Sequence, residues 1–349
     1  MGHTGKQDDR FMEDIVYANL GLPSKKLVMG PGRGLDNGMI SIGNENVMIL
    51  TMDPISAMPA LGMRLSAWLS VHLIASDYTS SGADPEFALF SYNFPEAMNR
   101  SKRERYIKAI SDECRALDVS IAGGHTGSYP GGGFTVIGTG AMLGFAPEDK
   151  VVSPSMARVG DSVLMTKHAA IEATMSLAFS FPEFTSKKAG SELAGRARAM
   201  AELCSTVRDA RSARRVGLGP GGVSSMHDAT EGGVLGALAE IAAASRKRLV
   251  VDPARIPVTV ETRAVCTAFG IDPLRTMGEG SLLITCSSDR VQQLVRVLNR
   301  NSVSATEIGE VREGKELVLR HQDGRTEVFT PGADQYWVAY DRAVRCGLK

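Results

Sequence analysis

The chemical motif that stands out in this 349-residue chain is Asp-Ala-Thr-Glu-Gly-Gly at residues 228–233. A helix is predicted to follow it, because apolar residues recur at helical spacing over residues 234–245. Thr230 is a candidate N-cap, and Gly232 and Gly233 would let the backbone approach a ligand closely. Because free amides at a helix N-terminus attract phosphate, the motif indicates an anion site. An ordinary glycine loop before a capped helix explains the motif equally well on its own.

A second glycine-rich loop lies at residues 30–38 and carries one base, Arg33, and one acid, Asp36. It is not a Walker A loop, because no Gly-Lys-Ser/Thr follows. It is not a dinucleotide fingerprint either, since no strand is predicted before it and no helix after it. A surface turn is the competing interpretation.

Three further positions combine polar groups with predicted element ends. Asp53 follows the apolar strand at residues 47–51, where an acid is well placed to hold a metal ion or simply to begin a turn before proline. Asp77 follows a helical apolar stripe. Residues 123–126, Gly-Gly-His-Thr, follow a short strand and suggest a site, although a glycine-rich strand end with one satisfied histidine is the alternative.

Composition excludes several classes of protein. The 39 Lys and Arg residues balance 39 Asp and Glu residues, so neither a nucleic-acid partner nor an anionic membrane is expected. No apolar run approaches a membrane span, and the first ten residues lack the apolar core of a signal peptide. The five cysteines are scattered without a C-x-x-C, which argues against a disulfide framework or a zinc site. A cytoplasmic location is therefore expected.

The chain divides near residues 147–160, where proline, serine and charge replace the apolar pattern. Strands and helices alternate on both sides, which predicts an α/β (α+β) protein with domains at residues 1–150 and 151–349. Lys167 opens a helix after a strand in the second half. Residues 186–215 are expected to form exposed helix, and the region from residue 305 reads as β-rich.

The order and spacing of these motifs resemble the aminoimidazole-ribonucleotide-synthetase (PurM-like) superfamily of ATP-using enzymes. That group includes thiamine-monophosphate kinase, selenophosphate synthetase and the hydrogenase-maturation carbamoyl dehydratase HypE. Residues 32–40 resemble the HypE pattern Gly-x-Gly-x-Asp-Ala-Ala-Val-Ile, and residues 51–53 its Thr-x-Asp. Residues 76–83 resemble Asn-Asp-x4-Gly-Ala, and residues 228–233 resemble Asp-Pro-Thr-Arg-Gly-Gly. The resemblance runs from about residue 14 to residue 337 and is strongest to the HypE type.

The resemblance implies a fold, an assembly and a set of ligands. It implies a PurM-like amino-terminal domain, an α+β carboxyl-terminal domain and a homodimer whose amino-terminal strands close a barrel. ATP and Mg²⁺ would bind in a cleft, with Asp36, Asp53 and Asp77 as metal ligands and Asp228 as a weaker fourth. The resemblance implies that ATP would phosphorylate an amide, carbonyl or related oxygen. That oxygen would belong to an acceptor that is either a small molecule or a protein-borne group.

The resemblance also assigns roles to the remaining motif residues. His125, Lys167 and Asp228 are the catalytic candidates. The expected ATP contacts are Gly32, Arg33, Gly34, Gly123, Gly124, Thr126, Thr230, Gly232 and Gly233.

Departures from the HypE pattern indicate a paralogue with a different acceptor. Cys346 is not the terminal residue, as the carbamoyl-bearing cysteine of HypE is, and Glu231 replaces a basic residue of the family motif. Gly-His-Thr also stands where HypE commonly has Gly-Asp-Thr. The alternatives are a small-molecule kinase, a selenophosphate-synthetase-like enzyme, or a nucleotide-binding partner protein without turnover.

Overall fold

The amino-terminal half is built on a mixed six-stranded sheet. The computed structural model describes residues 5–133 and 135–349; the predicted strand start at Phe134 lies outside these residues. The strands are β1 (Leu27–Met29), β2 (Gly38–Gly43), β3 (Asn46–Ala57), β4 (Phe87–Pro95), β5 (Ser120–Tyr129) and β6 (Thr135–Pro147). Their order is β1-β2-β3-β6-β4-β5, and only the β4–β5 pair is parallel. A short strand, β1, therefore does precede the glycine loop at residues 30–38, contrary to the prediction.

Two long helices cover one face of this sheet. The helices of this half are α1 (Asp9–Phe11), α2 (Gly62–Thr79) and α3 (Arg100–Ala116), and α1 continues into irregular turns at Met12–Val16 and Tyr17–Asn19. Glycines on β6 let α2 approach the sheet closely. A Cβ on Gly140 would lie 2.5 Å from Ile74 Cδ1, and one on Gly144 would lie 2.6 Å from Tyr78 Oη. These glycines therefore serve helix packing.

Strand β3 is longer than the sequence pattern suggests, and Asp53 lies inside it rather than at its end. Pairing between β2 and β3 extends only as far as Leu50, which lies opposite Gly38. Pro54 therefore occupies a stretch where β3 is paired with β6 only. A strand tolerates proline at such an edge. Alternation places Asp53 on the same face as the buried Thr51 and Ile55, which is the face that α2 covers.

The carboxyl-terminal half contains a seven-stranded sheet, and the three strands at one side of it are buried on both faces. Its strands are β7 (Asp161–Thr166), β8 (Val223–Asp228), β9 (Arg248–Val251), β10 (Leu282–Ser287), β11 (Ala305–Arg312), β12 (Leu317–Arg320) and β13 (Thr326–Val328). The order is β13-β12-β9-β11-β7-β10-β8. Val163 and Met165 face one apolar core and Leu164 faces another, as alternation along β7 requires.

Eight helices surround this second sheet within the described residues. They are α4 (Ile171–Ser180), α5 (Pro182–Ala189), α6 (Ser191–Ala199), α7 (Val207–Ala213), α8 (Gly233–Ser245), α9 (Val260–Phe269), α10 (Val291–Arg300) and α11 (Gln335–Arg345). The single exposed helix predicted for residues 186–215 is wrong: the segment breaks into several helices, and α7 is largely buried. Helix α11 was not predicted in the region expected to be β-rich.

The two halves interlock along one seam. Val207 of α7 belongs to the amino-terminal core, and Leu69 of α2 packs with Ile171 of α4. Arg211 and Arg214 both bind the carboxylate of Asp84 at 2.7 Å. Across the ranges that the structure describes, no helix is both long and apolar enough to cross a membrane.

The glycine loop packs against helix α8 at Gly34. A substitution of Gly34 tests how much this contact contributes to stability. Gly34 has φ +68°, and a Cβ there would lie 2.6 Å from Glu240 Cβ. Gly34→Ala should lower the free energy of unfolding by about 1–3 kcal/mol more than Gly43→Ala, measured by urea denaturation. Gly43 is the matched control, since it also has positive φ (+87°) but meets no described atom within 4 Å. Equal losses would show that the loop does not pack on α8.

Candidate active site

Four aspartates from four different elements meet at the seam. Asp36 precedes β2, Asp53 lies on β3, Asp77 is in the last turn of α2, and Asp228 ends β8. Burial, followed by repulsion from Asp228, Asp53 and Asp36, raises the pKa of Asp77 well above its usual range. The structure therefore brings together the three predicted metal ligands and Asp228, while their role as ligands stays a prediction.

Hydrogen bonds hold the glycine loop against its neighbours at this point. Thr51 Oγ1 donates to the Asp36 carbonyl at 2.8 Å, and Asn37 Nδ2 donates to the Asp77 carbonyl at 2.8 Å. The loop is thereby tied to β3 and to the end of α2. The side chain of Asp36 is directed towards β8 as a result.

The carboxylate of Asp228 is buried without a partner in the part of the chain that the structure describes. The residue is fully buried, and neither of its oxygens has a hydrogen-bond partner among the described residues. Burial, then the charge of Asp36, raises the pKa of Asp228 to about 7, and burial raises that of Asp53 to about 6. A buried carboxylate without a partner is costly unless it meets a cation. The oxygen-only donor set of these aspartates fits Mg²⁺.

Two buried glutamates extend the acidic cluster into the carboxyl-terminal half. Glu172 lies on α4 and Glu279 in the turn before β10, and the Ala173 amide bonds the Met277 carbonyl at 3.2 Å between them. Burial, then Asp334, raises the pKa of Glu172 to about 8. One oxygen of each glutamate has no partner within the described ranges. Neither residue was assigned a site role from the sequence, because local sequence does not show that a side chain is buried beside other acids.

His227 joins the two halves of the chain inside this cluster. Its Nδ1 is 2.6 Å from Asp36 Oδ2, its Nε2 is 2.9 Å from Glu240 Oε2, and the ring is fully buried. Burial opposes protonation, but Asp36 and Glu240 outweigh it and raise the pKa of His227 well above its usual range. Sequence reasoning left His227 unassigned, although it immediately precedes Asp228.

The amino-terminal segment at residues 5–9 contributes positive charge to the cluster. Lys6 donates its main-chain amide to Glu231 Oε2 at 2.7 Å and its ammonium to Thr230 Oγ1 at 3.0 Å. The same ammonium is 3.9 Å from Glu240 Oε1. Glu231 therefore faces the cleft, where it anchors this segment.

Two cavities flank the amino-terminal segment. One of about 450 Å³ is bordered by Lys6, Glu231 and Arg275, and one of about 250 Å³ by Lys6, Gly34 and Asp36. Arg33 lines both cavities and pairs with Asp9 at 2.8 Å. The cleft thus combines an acidic floor with several cations at its mouth.

Two family models cover most of the chain. The amino-terminal-domain model of the AIR synthase related proteins matches residues 34–146, and the carboxyl-terminal-domain model matches residues 158–322. The chain belongs to the AIR synthase related family. The predicted superfamily and its two-domain α+β fold are confirmed.

Individual members of the AIR synthase related family show the same likeness. A protein of Methanocaldococcus jannaschii, named provisionally for hydrogenase expression and formation, is 23% identical over 338 residues, 95% of this chain and 96% of that protein. The carbamoyl dehydratase HypE of Cupriavidus necator is 27% identical over 248 residues, 70% of this chain and 67% of that protein. A HypE structure in complex with ATP is 20% identical, with a TM-score of 0.67 over 95% of this chain and 97% of that chain.

The family motif at residues 228–233 has a different local geometry from the predicted one. Thr230 is not the N-cap of α8; Gly232 is, with φ +84°. The Gly232 amide donates to Asp334 Oδ2 at 2.6 Å, so the protein's own carboxylate binds where phosphate was expected. Gly233 is required for packing, since a Cβ there would lie 2.7 Å from the Thr276 carbonyl oxygen.

The Gly-Gly-His-Thr motif lies far from the acids within one chain. It is on the edge strand β5, where Gly123, Gly124, His125 and Thr126 are all exposed. Asp53 pairs with Gly140, Gly140 with Phe90, and Phe90 with Gly124. Three strand spacings, about 14 Å, therefore separate this motif from Asp53. His125 Nε2 instead contacts Tyr129 Oη at 2.7 Å.

Lys167 is held away from the acidic cluster. Its ammonium contacts the Ser205 carbonyl at 2.6 Å, the Leu203 carbonyl at 3.2 Å and Asp209 Oδ2 at 3.1 Å. These contacts use all three donors of the ammonium. The placement favours a structural role, joining β7 to α7, over the predicted catalytic one.

The buried glutamate Glu172 gives the cluster a testable pH dependence. Because its folded-state pKa is raised, its contribution to stability is fully present below pH about 4.5 and is lost as pH rises towards 8. In EDTA, the free energy of unfolding of Glu172→Gln should match that of the wild type near pH 5. At pH 8.5 it should be about 2–4 kcal/mol higher than that of the wild type, because the variant has no charge to bury. The exposed Glu183→Gln is the control and should follow the wild type throughout, as measured by urea denaturation. Parallel curves for Glu172→Gln and wild type would contradict the assignment.

Proposed function

We propose that this chain is an ATP- and Mg²⁺-dependent enzyme that activates an amide, carbonyl or related oxygen by phosphorylation, in the manner of the HypE type. The observation that carries the proposal is the convergence of buried carboxylates on Asp228, whose oxygens have no partner in the described part of the chain. Clustered buried carboxylates are costly unless a cation compensates their charge, and such clusters are typical of functional sites. The ATP complex of a HypE structure with the same fold supports the choice of nucleotide.

In this proposal the acids and the bases have separate tasks. Asp36, Asp53 and Asp77 hold Mg²⁺, which when bound neutralises charge on the phosphates. Arg33 and Lys6, at the mouth of the cleft, contact the phosphate oxygens. The Nε of Arg33 is buried without a partner in the described structure, so the guanidinium has donor capacity left for an anion.

The inner end of the cleft suits the acceptor. Glu172 has a pKa raised to about 8 and therefore retains a proton at neutral pH. A protonated carboxyl can give its proton to an oxygen as that oxygen leaves, whereas the oxygen that attacks phosphorus must keep its lone pair free. The acceptor would be either a small molecule or a protein-borne group.

A substitution of the metal ligand tests this proposal. Asp53→Asn should reduce Mg²⁺-dependent ATP turnover at least about 100-fold, the upper end of the effect of losing even an outer-shell partner. Asp112→Asn, an exposed helix position paired with Arg115, is the control and should retain wild-type turnover. Phosphate release and product mass would be measured together. ATP binding without turnover in the wild type would instead identify a nucleotide-binding partner protein.

The exposed face of the amino-terminal sheet supports a homodimer. Met52, Leu89 and Phe145 point away from α2 by alternation, and Ile121 and Val136 are also exposed. Such an apolar face, next to the edge strand β5, suits a second copy of the sheet. Closure of a barrel between copies would bring His125 and the adjacent Gly-Gly motif towards the partner's cleft, which one chain alone does not achieve.

Sedimentation tests this assembly. The wild type should be a dimer at micromolar concentration, and Leu89→Asp should weaken it at least about tenfold, because it places a charge in an apolar interface. Val338→Asp, on exposed α11, is the matched control and should remain dimeric. A monomeric wild type would contradict the proposed dimer while leaving the nucleotide chemistry to be judged by turnover.

A further inference from the structure

The amino-terminal segment at residues 5–9 crosses the mouth of the cleft and is anchored at both of its ends. Gly5 has φ +98°, and a Cβ there would lie 2.6 Å from Glu231 Oε2 and 2.7 Å from Trp337 Cδ1. At the other end, the carboxylate of Asp9 pairs with Arg33 at 2.8 Å. The segment therefore connects the motif at residues 228–233 to the glycine loop.

Glu231 holds this segment by its main chain. Glu231 Oε2 accepts the Lys6 amide at 2.7 Å, whereas the Lys6 ammonium donates to Thr230 Oγ1 at 3.0 Å and lies 3.9 Å from Glu240 Oε1. The ammonium is thereby directed from the motif towards the side of the cleft where Glu240 contacts the glycine loop. The Lys6 side chain is still 56% exposed, so a ligand in the cleft can reach it.

This arrangement leaves the positive charge of Lys6 available to a ligand. An ammonium has three donors, and one of them is directed at Thr230. A phosphate group can accept from the others, and hydrogen bonds between ionised groups are the strong ones. A carboxylate that only faced the cleft would repel phosphate, but a carboxylate that fixes an ammonium there has the opposite net effect.

We propose that Glu231 is a positioning residue for nucleotide binding: it fixes Lys6, and Lys6 presents to the phosphates the positive charge that residues 228–233 lack. The amino-terminal segment is then part of the nucleotide site. Because Lys6 is already held in place in the free chain, binding does not incur the cost of immobilising it. The inference rests on the proposed function, since it requires that a nucleotide enters this cleft.

The alternative is that Glu231 acts only as a local negative charge. Loss of that charge would then strengthen the binding of an anion, whichever uncharged residue replaced it. A positioning role predicts the opposite sign for a replacement that cannot accept the Lys6 amide. It also predicts that a replacement with an acceptor but no charge keeps the affinity.

Calorimetric titration of the full chain with MgADP distinguishes these alternatives. Lys6→Ala should weaken MgADP binding at least about tenfold, the lower end of the effect of losing a hydrogen bond to a charged group. Glu231→Ala should weaken it about two- to tenfold, because Lys6 must then be immobilised on binding. Glu231→Gln retains an acceptor for the Lys6 amide and should bind at least as tightly as the wild type. Lys25→Ala, at an exposed lysine of the same half, is the matched control and should leave the affinity unchanged.

A double-variant cycle shows whether Glu231 acts through Lys6. In the Lys6→Ala background, Glu231→Ala should no longer weaken MgADP binding, because no ammonium remains to be positioned. Equal weakening in both backgrounds, or tighter binding by Glu231→Ala alone, would overturn the proposal.

Gly5→Ala displaces the segment without changing a charge, so the proposal stays testable even if Glu231→Ala does not fold. Its Cβ would collide with Glu231, and MgADP binding should weaken about two- to tenfold. Gly21→Ala is the control, since Gly21 also has positive φ (+75°) but meets no described atom within 4 Å. Unchanged affinity in Gly5→Ala would contradict the proposal. A wild type that does not bind MgADP would refute the proposed function as well, whereas binding that Lys6→Ala leaves unchanged would overturn this inference alone.

Discussion

The repulsion between carboxylates crowded into one buried place is the constraint on which the rest of this structure depends. Asp228 and Glu279 are buried and Asp77 is half-buried, and loss of solvent, followed by repulsion from neighbouring acids, raises the pKa of each. Charges in such surroundings destabilise the fold unless cations compensate them. Lys6 and His227 supply part of that compensation from within the chain. The unpartnered oxygens of Asp228 mark the part of this charge that the described side chains leave uncompensated.

The position of the cluster requires the two halves to be held together by other contacts. Its acids come from both sides of the seam, so any sliding of one half would separate them. The Asp84 clamp on Arg211 and Arg214, together with α7 packed into the amino-terminal core, opposes such sliding. A site assembled from distant elements requires rigid support of this kind. Gly34 serves the same end, because its lack of a Cβ lets the glycine loop reach α8.

The fold class and the four aspartates could be predicted from the sequence because each aspartate sits in a recognisable motif, even though Asp53 lies inside β3 rather than at its end. Glu172 and His227 were missed as site residues because only tertiary contacts reveal that they face the cluster. Lys167 illustrates the opposite case. Its place after a strand suggested chemistry, but its direction is set by carbonyls from a segment some forty residues away. Thr230 was predicted as a cap on local preference, whereas the backbone turn is made by Gly232.

The charge at Glu231 changes how the motif at residues 228–233 should be understood. A negative side chain faces the cleft there, and the Lys6 amide binds it. The Gly232 amide donates to the Asp334 carboxylate, so an anionic group of the protein already occupies the N-terminus of α8. Phosphate would be repelled from this side of the cleft by both carboxylates. Nucleotide phosphates would therefore be held from the side of the glycine loop and Arg33, while the motif contributes Asp228 and the turn that presents it.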